Sequence, residues 1–251
     1  MNRRIRKFCK NLALTLVYSS IFQKVMDFVL RNNLTPALKN LRDLGFEPDL
    51  ILDVGAYIGD WSTEALGIFP KAQGIMFEPQ KDKLSRLEQV CDSFPRRLSV
   101  QSVLLGDVSG SRDFFRLETG SSIYRENTLE QPILEKHLMK TLDHSLAGTS
   151  GENAKAILLK LDVQGAEKDI LNGSIKTLKN VDVLIMELSF LRYNEGAPLA
   201  HEMIAYADQI GFVPFNICGI CRIKGQFVQA DLLFVRKSSR LLTAAERSFR
   251  S

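Results

Sequence analysis

At 251 residues, with 45% hydrophobic and 25% charged side chains, the chain can bury one full-sized core and has the composition of a globular domain, which excludes a fibrous or wholly disordered protein. Four cysteines (Cys9, Cys91, Cys218, Cys221) are too few for a disulfide scaffold and fit a reducing compartment. The formal net charge of +4 is unevenly spread: residues 1–26 hold Arg3, Arg4, Arg6, Lys7, Lys10 and Lys24 and no acid, leaving 27 basic against 29 acidic residues elsewhere, so the body of the chain is not a polyanion-binding surface.

The N-terminal stretch sets Ile5, Phe8, Leu12 and Leu16, then Ile21, Val25 and Phe28, at helical spacing. A basic amphipathic helix of this kind either lies on an anionic membrane surface or packs as an arm on the domain or a second subunit, so peripheral membrane contact or a homodimer through residues 1–30 is expected. Its apolar run Leu12–Phe22 is too short and too polar to span a bilayer, and no small-residue cleavage site follows. The expected address is therefore the cytoplasm, with the inner face of the membrane as the alternative.

Residues 1–45 read as this basic helical arm, 46–237 as the main domain and 238–251 as a tail, either a short helix or a disordered end. A helix is expected at Thr35–Leu44, with Thr35 as cap, Pro36 in the first turn and Gly45 as stop. Strands are then expected at Leu50–Val54, Gly74–Phe77, Leu98–Leu105, Ala156–Leu161, Val181–Leu188, Phe212–Asn216 and Leu232–Arg236. Helices are expected at Asp60–Phe69, Gln80–Cys91, Ala166–Leu178 and Pro198–Ile210. The runs around Leu52, Leu159 and Leu184 are near-continuously apolar, as strands covered on both faces are. This alternation predicts an α/β fold: a Rossmann-like, doubly wound, mainly parallel seven-stranded sheet. Residues 109–153 interrupt the rhythm with a short strand at Arg112–Leu117, a polar loop at Glu118–Thr128 and a helical piece near Leu129–Leu146. An insertion of this length beside the strand ends is a natural substrate lid.

The most informative stretch is Ile51-Leu52-Asp53-Val54-Gly55-Ala56-Tyr57-Ile58-Gly59-Asp60, followed by Phe77-Glu78-Pro79. It reads as strand, glycine turn, helix and a second strand ending in an acid 19 residues after Gly59, the arrangement that holds an adenosine ribose. A dinucleotide turn uses a third glycine to admit a pyrophosphate; here that position falls among Asp60, Trp61 and Ser62, and a carboxylate in the first turn repels phosphate. S-adenosylmethionine carries no phosphate, and the balance favours this methyl donor. Asp53 is placed to pair with the donor's ammonium. Glu78 suits both ribose hydroxyls, since an ionised carboxylate only accepts. Asp107 closes the third strand and is a candidate for the adenine amino group, or a plain turn former in Gly106-Asp107-Val108-Ser109-Gly110. Asp162 and Glu187 close the next strands, where methyl group and acceptor meet; Asp162 also competes as a helix cap, and Glu187 needs a partner such as Lys160 or Arg192. Cys218-Gly-Ile-Cys221 lies in strand-like sequence without a second pair, so packing explains it better than zinc or redox chemistry.

With Asp53-Val54-Gly55-Ala56-Tyr57-Ile58-Gly59, Phe77-Glu78-Pro79, Lys160-Leu161-Asp162-Val163-Gln164-Gly165-Ala166-Glu167 and Gln229-Ala230-Asp231-Leu232-Leu233-Phe234-Val235, the chain resembles the FkbM family of S-adenosylmethionine-dependent methyltransferases. Ser121-Ser122, Thr141-Leu142-Asp143, Tyr193 and Gly196 add weaker matches. The resemblance implies a class I methyltransferase fold and methyl transfer to oxygen, on a hydroxyl of a sugar, polysaccharide or natural product, in a bacterial cell. It puts Asp53, Gly55, Tyr57, Gly59, Glu78, Pro79, Asp107 and Asp162 in the donor-binding set, with Tyr57 standing where the family usually has Asn. It also leaves His144 where a second Asp is common.

A sugar hydroxyl is a weak nucleophile and benefits from a base that takes its proton as the new bond forms. The expected order for that base is Asp162, then Glu187, then His144. Alternatively Asp162 and Glu187 hold a divalent cation that binds the acceptor's hydroxyls. Two rival readings are a nicotinamide-dependent oxidoreductase and a non-catalytic Rossmann-like binding module. The expected partner is a small-molecule or glycan acceptor. Nucleic acid is not expected, because no Pro-Pro-Tyr-like sequence follows Asp162 and the body has no basic patch interleaved with aromatics.

Overall fold

The computed structural model describes residues 34–118, 120–127 and 131–250. The basic amphipathic segment, Cys9 and the expected contacts through residues 1–30 lie outside them. Ten strands and seven helices follow: α1 Leu34–Asp43, β1 Leu50–Val54, α2 Asp60–Ile68, β2 Gln73–Phe77, α3 Leu84–Asp92, β3 Leu98–Gln101, β4 Leu104–Leu105, β5 Gly110–Arg116, β6 Ile133–Lys140, α4 Leu142–Leu146, β7 Ile157–Leu161, α5 Glu167–Asn172, β8 Val181–Ser189, α6 Ala200–Gln209, β9 Phe212–Ile223, β10 Gln226–Arg236 and α7 Arg240–Arg250.

The main sheet has seven strands in the order β3-β2-β1-β7-β8-β10-β9. All pair in parallel except β10, which is antiparallel to both neighbours. Every residue of β1 and β7 is buried. Alternate side chains feed two helical layers: Leu50, Leu52, Leu159 and Leu161 pack on one face, Ile51 and Leu158 on the other with α1 and α2. That two-sided burial is why these strands read as unbroken apolar runs. Ala37, Leu38 and Leu41 of α1 belong to the second layer, so the packed core reaches back to α1.

Register fixes the functional rim. Val54 lies beside Phe77 and Leu161, and Leu161 beside Met186. The chain therefore leaves β1, β2 and β7 at one level, and Gly55, Glu78 and Asp162 emerge together. One row back, Asp53 lies beside Lys160, and in the antiparallel pair Glu187 lies opposite Asp231.

Several elements differ from expectation. The strand expected at Leu98–Leu105 divides: β3 ends at Gln101, and Leu104–Leu105 pairs with β6 in a second sheet of order β4-β6-β5. The helical piece expected near Leu129–Leu146 is a strand over Ile133–Lys140, and only Leu142–Leu146 is helical. Its charges are a cross-strand pattern: Lys136 bonds Asp113 at 3.0 Å directly opposite and Arg116 bonds Glu135 at 2.6 Å, while Phe114 and Met139 are buried. Pairing with β5 overrides local helical character. The helix expected to run to Leu178 stops at Asn172, and a short 3-10 turn follows at Thr177–Asn180. Asp143 starts that turn by accepting from the N–H groups of Lys176 and Thr177, both at 2.8 Å. β9 and β10 run longer than expected, to Ile223 and back from Gln226, forming a hairpin beyond the sheet.

Candidate active site

Outside the carboxyl ends of β1, β2, β7 and β8 lies a cavity of about 750 Å³, where ligands of open α/β sheets bind and of a size suited to a small organic molecule. The second sheet, Leu117, the segment 120–126 and the β9–β10 hairpin complete its walls.

At one end, Glu78 is almost fully buried and lines the cavity. Its Oε2 accepts from the Tyr57 backbone N–H at 2.9 Å, and its Oε1 from the Gln80 N–H at 2.9 Å. Burial raises its carboxyl above the ordinary value, while those two N–H groups work to lower it. Tyr57 reaches this position with a φ of 50°. Its hydroxyl donates to Glu118 at 2.8 Å, and Lys83 reaches the same Glu118 oxygen at 2.7 Å. Phe77, Pro79, Val103 and Leu105 supply apolar wall beside Glu78.

Gly55 is required by both space and conformation. Its φ is 79°, and a Cβ there would lie 2.0 Å from the Asp162 carbonyl oxygen. The Asp162 N–H in turn bonds the Val54 carbonyl at 3.0 Å, so the β1 turn and the β7 turn are locked together.

Asp162 lines the cavity and accepts from Lys160 Nζ at 3.1 Å. The same ammonium stands 3.6 Å from Asp53 Oδ1 and 5.6 Å from the Trp61 ring centroid. Burial works against the charge of Lys160, but Asp162 and Asp53 outweigh it and hold the ammonium firmly protonated. Asp53, only 1% exposed, accepts from Ser62 Oγ at 2.7 Å. Burial raises its carboxyl, opposed first by Lys160.

At the other end Glu187 lines the cavity. Its Oε2 accepts from the amides of Gln164 and Gln229, the latter at 2.7 Å. Burial, then Asp162 and Asp231, push its carboxyl well above the ordinary range. Asp231 is itself pushed up to about 6 by burial and Asp162. Gln164 also donates to Asp162 Oδ1 at 3.3 Å, so one amide bridges the two carboxylates. The loop carrying it is held by Asn194 Nδ2, which donates to the Gln164 carbonyl at 2.7 Å. Glu167 accepts from the Val163 and Gly165 N–H groups, both at 3.3 Å.

Of the residues singled out from sequence, Gly55, Tyr57, Glu78, Pro79, Asp162 and Glu187 line the cavity; Asp53, Gly59, Asp107 and His144 do not. Asp53 sits behind the wall, facing Lys160. Gly59 starts α2 with a φ of 82°, and a Cβ there would crowd Leu87, Met76 and Val90, so packing explains it. Asp107 is carried away because β4 joins the second sheet. His144 is exposed on α4, where its N–H bonds the Thr141 hydroxyl at 3.1 Å, so it is no candidate base. Glu187 is satisfied by amides rather than by Lys160 or Arg192; Arg192 lies 3.6 Å from Glu202. Among the described residues no group of three or more His, Cys, Asp or Glu is arranged to hold a metal ion. The expected pair for a divalent cation also has the Lys160 ammonium against Asp162, which repels one. Cys218 and Cys221 lie in β9 as free thiols.

Residues 53–214 match the methyltransferase FkbM domain. The chain belongs to that family. That membership sets aside the oxidoreductase reading. The chain is 30% identical over 142 residues to the hexuronic acid methyltransferase AglP of Haloferax volcanii, an alignment covering 57% of this chain and 56% of that protein, so the chain spans about half the length of this curated relative. Among solved structures it is similar to magnesium protoporphyrin IX methyltransferase (ChlM) from Synechocystis PCC 6803 with bound SAM (10% identity, 90% of this chain and 96% of that chain, TM-score 0.47). It is also similar to precorrin-6y C5,15-methyltransferase from Geobacter metallireducens GS-15 (11% identity, 79% and 86%, TM-score 0.45). Among the described residues no helix is long and apolar enough to cross a membrane.

The donor expected of a methyltransferase is S-adenosylmethionine, and the residues present fit it. Glu78 presents to the cavity a carboxylate oriented by two peptide N–H groups, and apolar side chains flank it.

Proposed function

We propose that this methyltransferase transfers the methyl group of S-adenosylmethionine to a hydroxyl oxygen of a sugar, a polysaccharide or a sugar-bearing natural product. The observation that carries this reading is that Glu187, a carboxyl held well above its ordinary range, opens on the same cavity as Glu78. One carboxylate suits a ribose and the other a proton. The likeness to a protein named for a hexuronic acid supports a sugar acceptor.

S-adenosylmethionine supplies the methyl group as a substituent of a sulfonium, which leaves readily. Glu78 accepts from the ribose hydroxyls, with the Tyr57 and Gln80 N–H groups fixing its orientation. Gly55, Pro79, Phe77 and Val103 enclose the adenosine and exclude water. Asp162 faces the donor's cationic end. Asp53 and Gly59 act behind the wall, Asp53 by sharing Lys160 with Asp162 and Gly59 by seating α2; Asp107 has no contact role in this scheme. Glu187 takes the proton of the acceptor hydroxyl. It is preferred to Asp162 because Lys160 neutralises Asp162 directly, whereas the neutral amides of Gln164 and Gln229 orient Glu187 without adding a cation. We assign acceptor choice to the residues of the insertion that line the cavity, Phe114, Leu117, Ser121, Ser122, Ile123 and Glu126.

The test is transfer of labelled methyl groups from S-adenosylmethionine to sugar acceptors, followed by mild alkali. Label that survives alkali as a methyl ether supports hydroxyl methylation. Label released by alkali as methanol marks a carboxylate ester and contradicts it.

A further inference from the structure

One wall of the cavity carries a phenol near the proposed base. Tyr193 lines the cavity together with Leu191, Ile223 and Val228. Its backbone is held on both sides: its N–H donates to the Leu191 carbonyl at 3.0 Å, and its own carbonyl accepts from the Asn127 N–H at 2.6 Å. Its hydroxyl oxygen accepts from Ser189 Oγ at 3.0 Å, and Ser189 is buried at the end of β8. The phenol's one proton is left to donate, and no partner among the described residues takes it. Glu187 lies two residues before Ser189, so both side chains leave one face of β8, roughly 7 Å apart along the strand. Both amide bonds to Glu187 fall on Oε2, and Oε1 has no hydrogen bond among the described residues. Burial, joined by the carboxyls of Glu187, Glu167 and Glu126, pushes the Tyr193 phenol well above its ordinary value, against the Ser189 hydrogen bond. It therefore keeps its proton and serves as a donor, not as a base.

Resting on the methyl-transfer reading, we infer that Tyr193 is a specificity-determining residue that donates to the hydroxyl next to the one methylated, so that the acceptor is a vicinal diol. The reacting hydroxyl gives its proton to Glu187 while its oxygen bonds the methyl carbon. The carbon–sulfur bond breaks with its electron pair on sulfur, releasing S-adenosylhomocysteine. The neighbouring hydroxyl oxygen accepts from Tyr193 throughout. A hydrogen bond of about 2.8 Å on either side of two adjacent ring oxygens spans a distance comparable to the separation of Glu187 and Ser189. An acceptor without the second hydroxyl leaves the phenol proton enclosed with nothing to accept it, which costs more than one hydrogen bond is worth. Neutral sugars and uronic acids both carry vicinal hydroxyls, so the selection is by hydroxyl pattern and not by charge.

The experiment uses the full chain, S-adenosylmethionine and the p-nitrophenyl glycosides of glucose, galactose, mannose and glucuronic acid. S-adenosylhomocysteine formation is followed, and fragmentation of the product locates the methylated position. For a glycoside that is turned over, monodeoxy analogues at the two flanking carbons are then compared with the parent. One of them is expected to fall in kcat/KM by about tenfold or more. In Tyr193→Phe the ratio of parent to that analogue is expected to close to within about twofold, with calorimetric S-adenosylhomocysteine affinity retained. Ser189→Ala frees the phenol to rotate and narrows the ratio part of the way; it carries the test should Tyr193→Phe lose S-adenosylhomocysteine binding. Flanking deoxy analogues used as well as the parent, or a ratio that persists in the variants, overturns the inference and leaves methyl transfer standing. Bound S-adenosylhomocysteine with none of the four glycosides turned over overturns the sugar-hydroxyl reading, and this inference with it. Absence of S-adenosylhomocysteine binding to the unsubstituted protein overturns the methyl-transfer reading itself.

Discussion

At the donor end of the cavity, the protein supplies mostly backbone. Glu78 is gripped by two peptide N–H groups, and Gly55 is pressed against the Asp162 carbonyl, all of it where adjacent strands of the parallel sheet end. At the acceptor end it supplies side chains. Glu187 is oriented by two amides, and its surroundings come from the insertion, the loop after β8 and the β9–β10 hairpin, the last two exposing Leu191 and Ile223. A site made of backbone is fixed by strand register and tolerates little change. A site made of side chains can be rebuilt by substitution without disturbing the sheet, which is how one fold comes to serve many acceptors.

That contrast predicts which changes separate turnover from binding. Glu187→Gln is expected to lower methyl transfer to an accepted glycoside by roughly 10²–10⁴, while S-adenosylhomocysteine affinity measured calorimetrically stays within about twofold. Equal losses in both would merge the two ends. In the unsubstituted protein, turnover should rise with pH through a range above that of an ordinary carboxyl, because burial and neighbouring acids raise Glu187 and only its ionised form accepts a proton.

Behind the donor end, Lys160→Met leaves Asp53 buried without its counter-ion. A loss of about 3–5 kcal/mol in denaturant unfolding at neutral pH is expected. The loss should shrink in acid, because an Asp53 raised further takes up a proton and sheds the unpaired charge. A pH-independent loss would mean that packing, not charge, had been removed.

Glu167 offers a pH signature of the loop between the two ends. Burial pushes its carboxyl from 4.5 up to about 7. The folded state thus binds a proton that the unfolded state has released between those values, so stability falls as pH rises across that window and levels off above it. The fall is on the order of 3 kcal/mol at roughly 1.4 kcal/mol per pH unit. Glu167→Gln should flatten the profile of melting temperature against pH and stabilise the protein at pH above about 7. An unchanged profile would show that Glu167 does not retain its proton.

The smallest effect is expected from Tyr57→Phe. It deletes an exposed hydrogen bond to Glu118 but keeps the peptide N–H that holds Glu78. S-adenosylhomocysteine affinity should change less than about threefold, as for other exposed polar contacts. A larger loss would show that the Tyr57 hydroxyl, not its backbone, does the holding.

The same contrast decided what the sequence could disclose. β1, β2, β7 and β8 are legible because two-sided burial leaves apolar runs, and the turn after each carries its residue in a short fixed motif: Gly55, Glu78, Asp162. Gly59 shares the motif but answers to α3 rather than to the cavity. Asp107 was out of reach because the break after Gln101 depends on pairing with a strand more than thirty residues away. β6 looks helical in sequence for the same reason, since its charges find their partners only across the strand pair with β5. Lys160 facing Asp53, and Gln229 bonding Glu187, are consequences of register between distant strands. Only the family-like stretches around Lys160 and Gln229 hinted that these two mattered.

The most direct test of the account is calorimetric titration of S-adenosylhomocysteine into the full chain and into Glu78→Ala. The account predicts micromolar binding to the first and a loss of about 2–4 kcal/mol in the second, the worth of two hydrogen bonds to a buried carboxylate. Equal affinity in both proteins would contradict it, placing the donor away from Glu78.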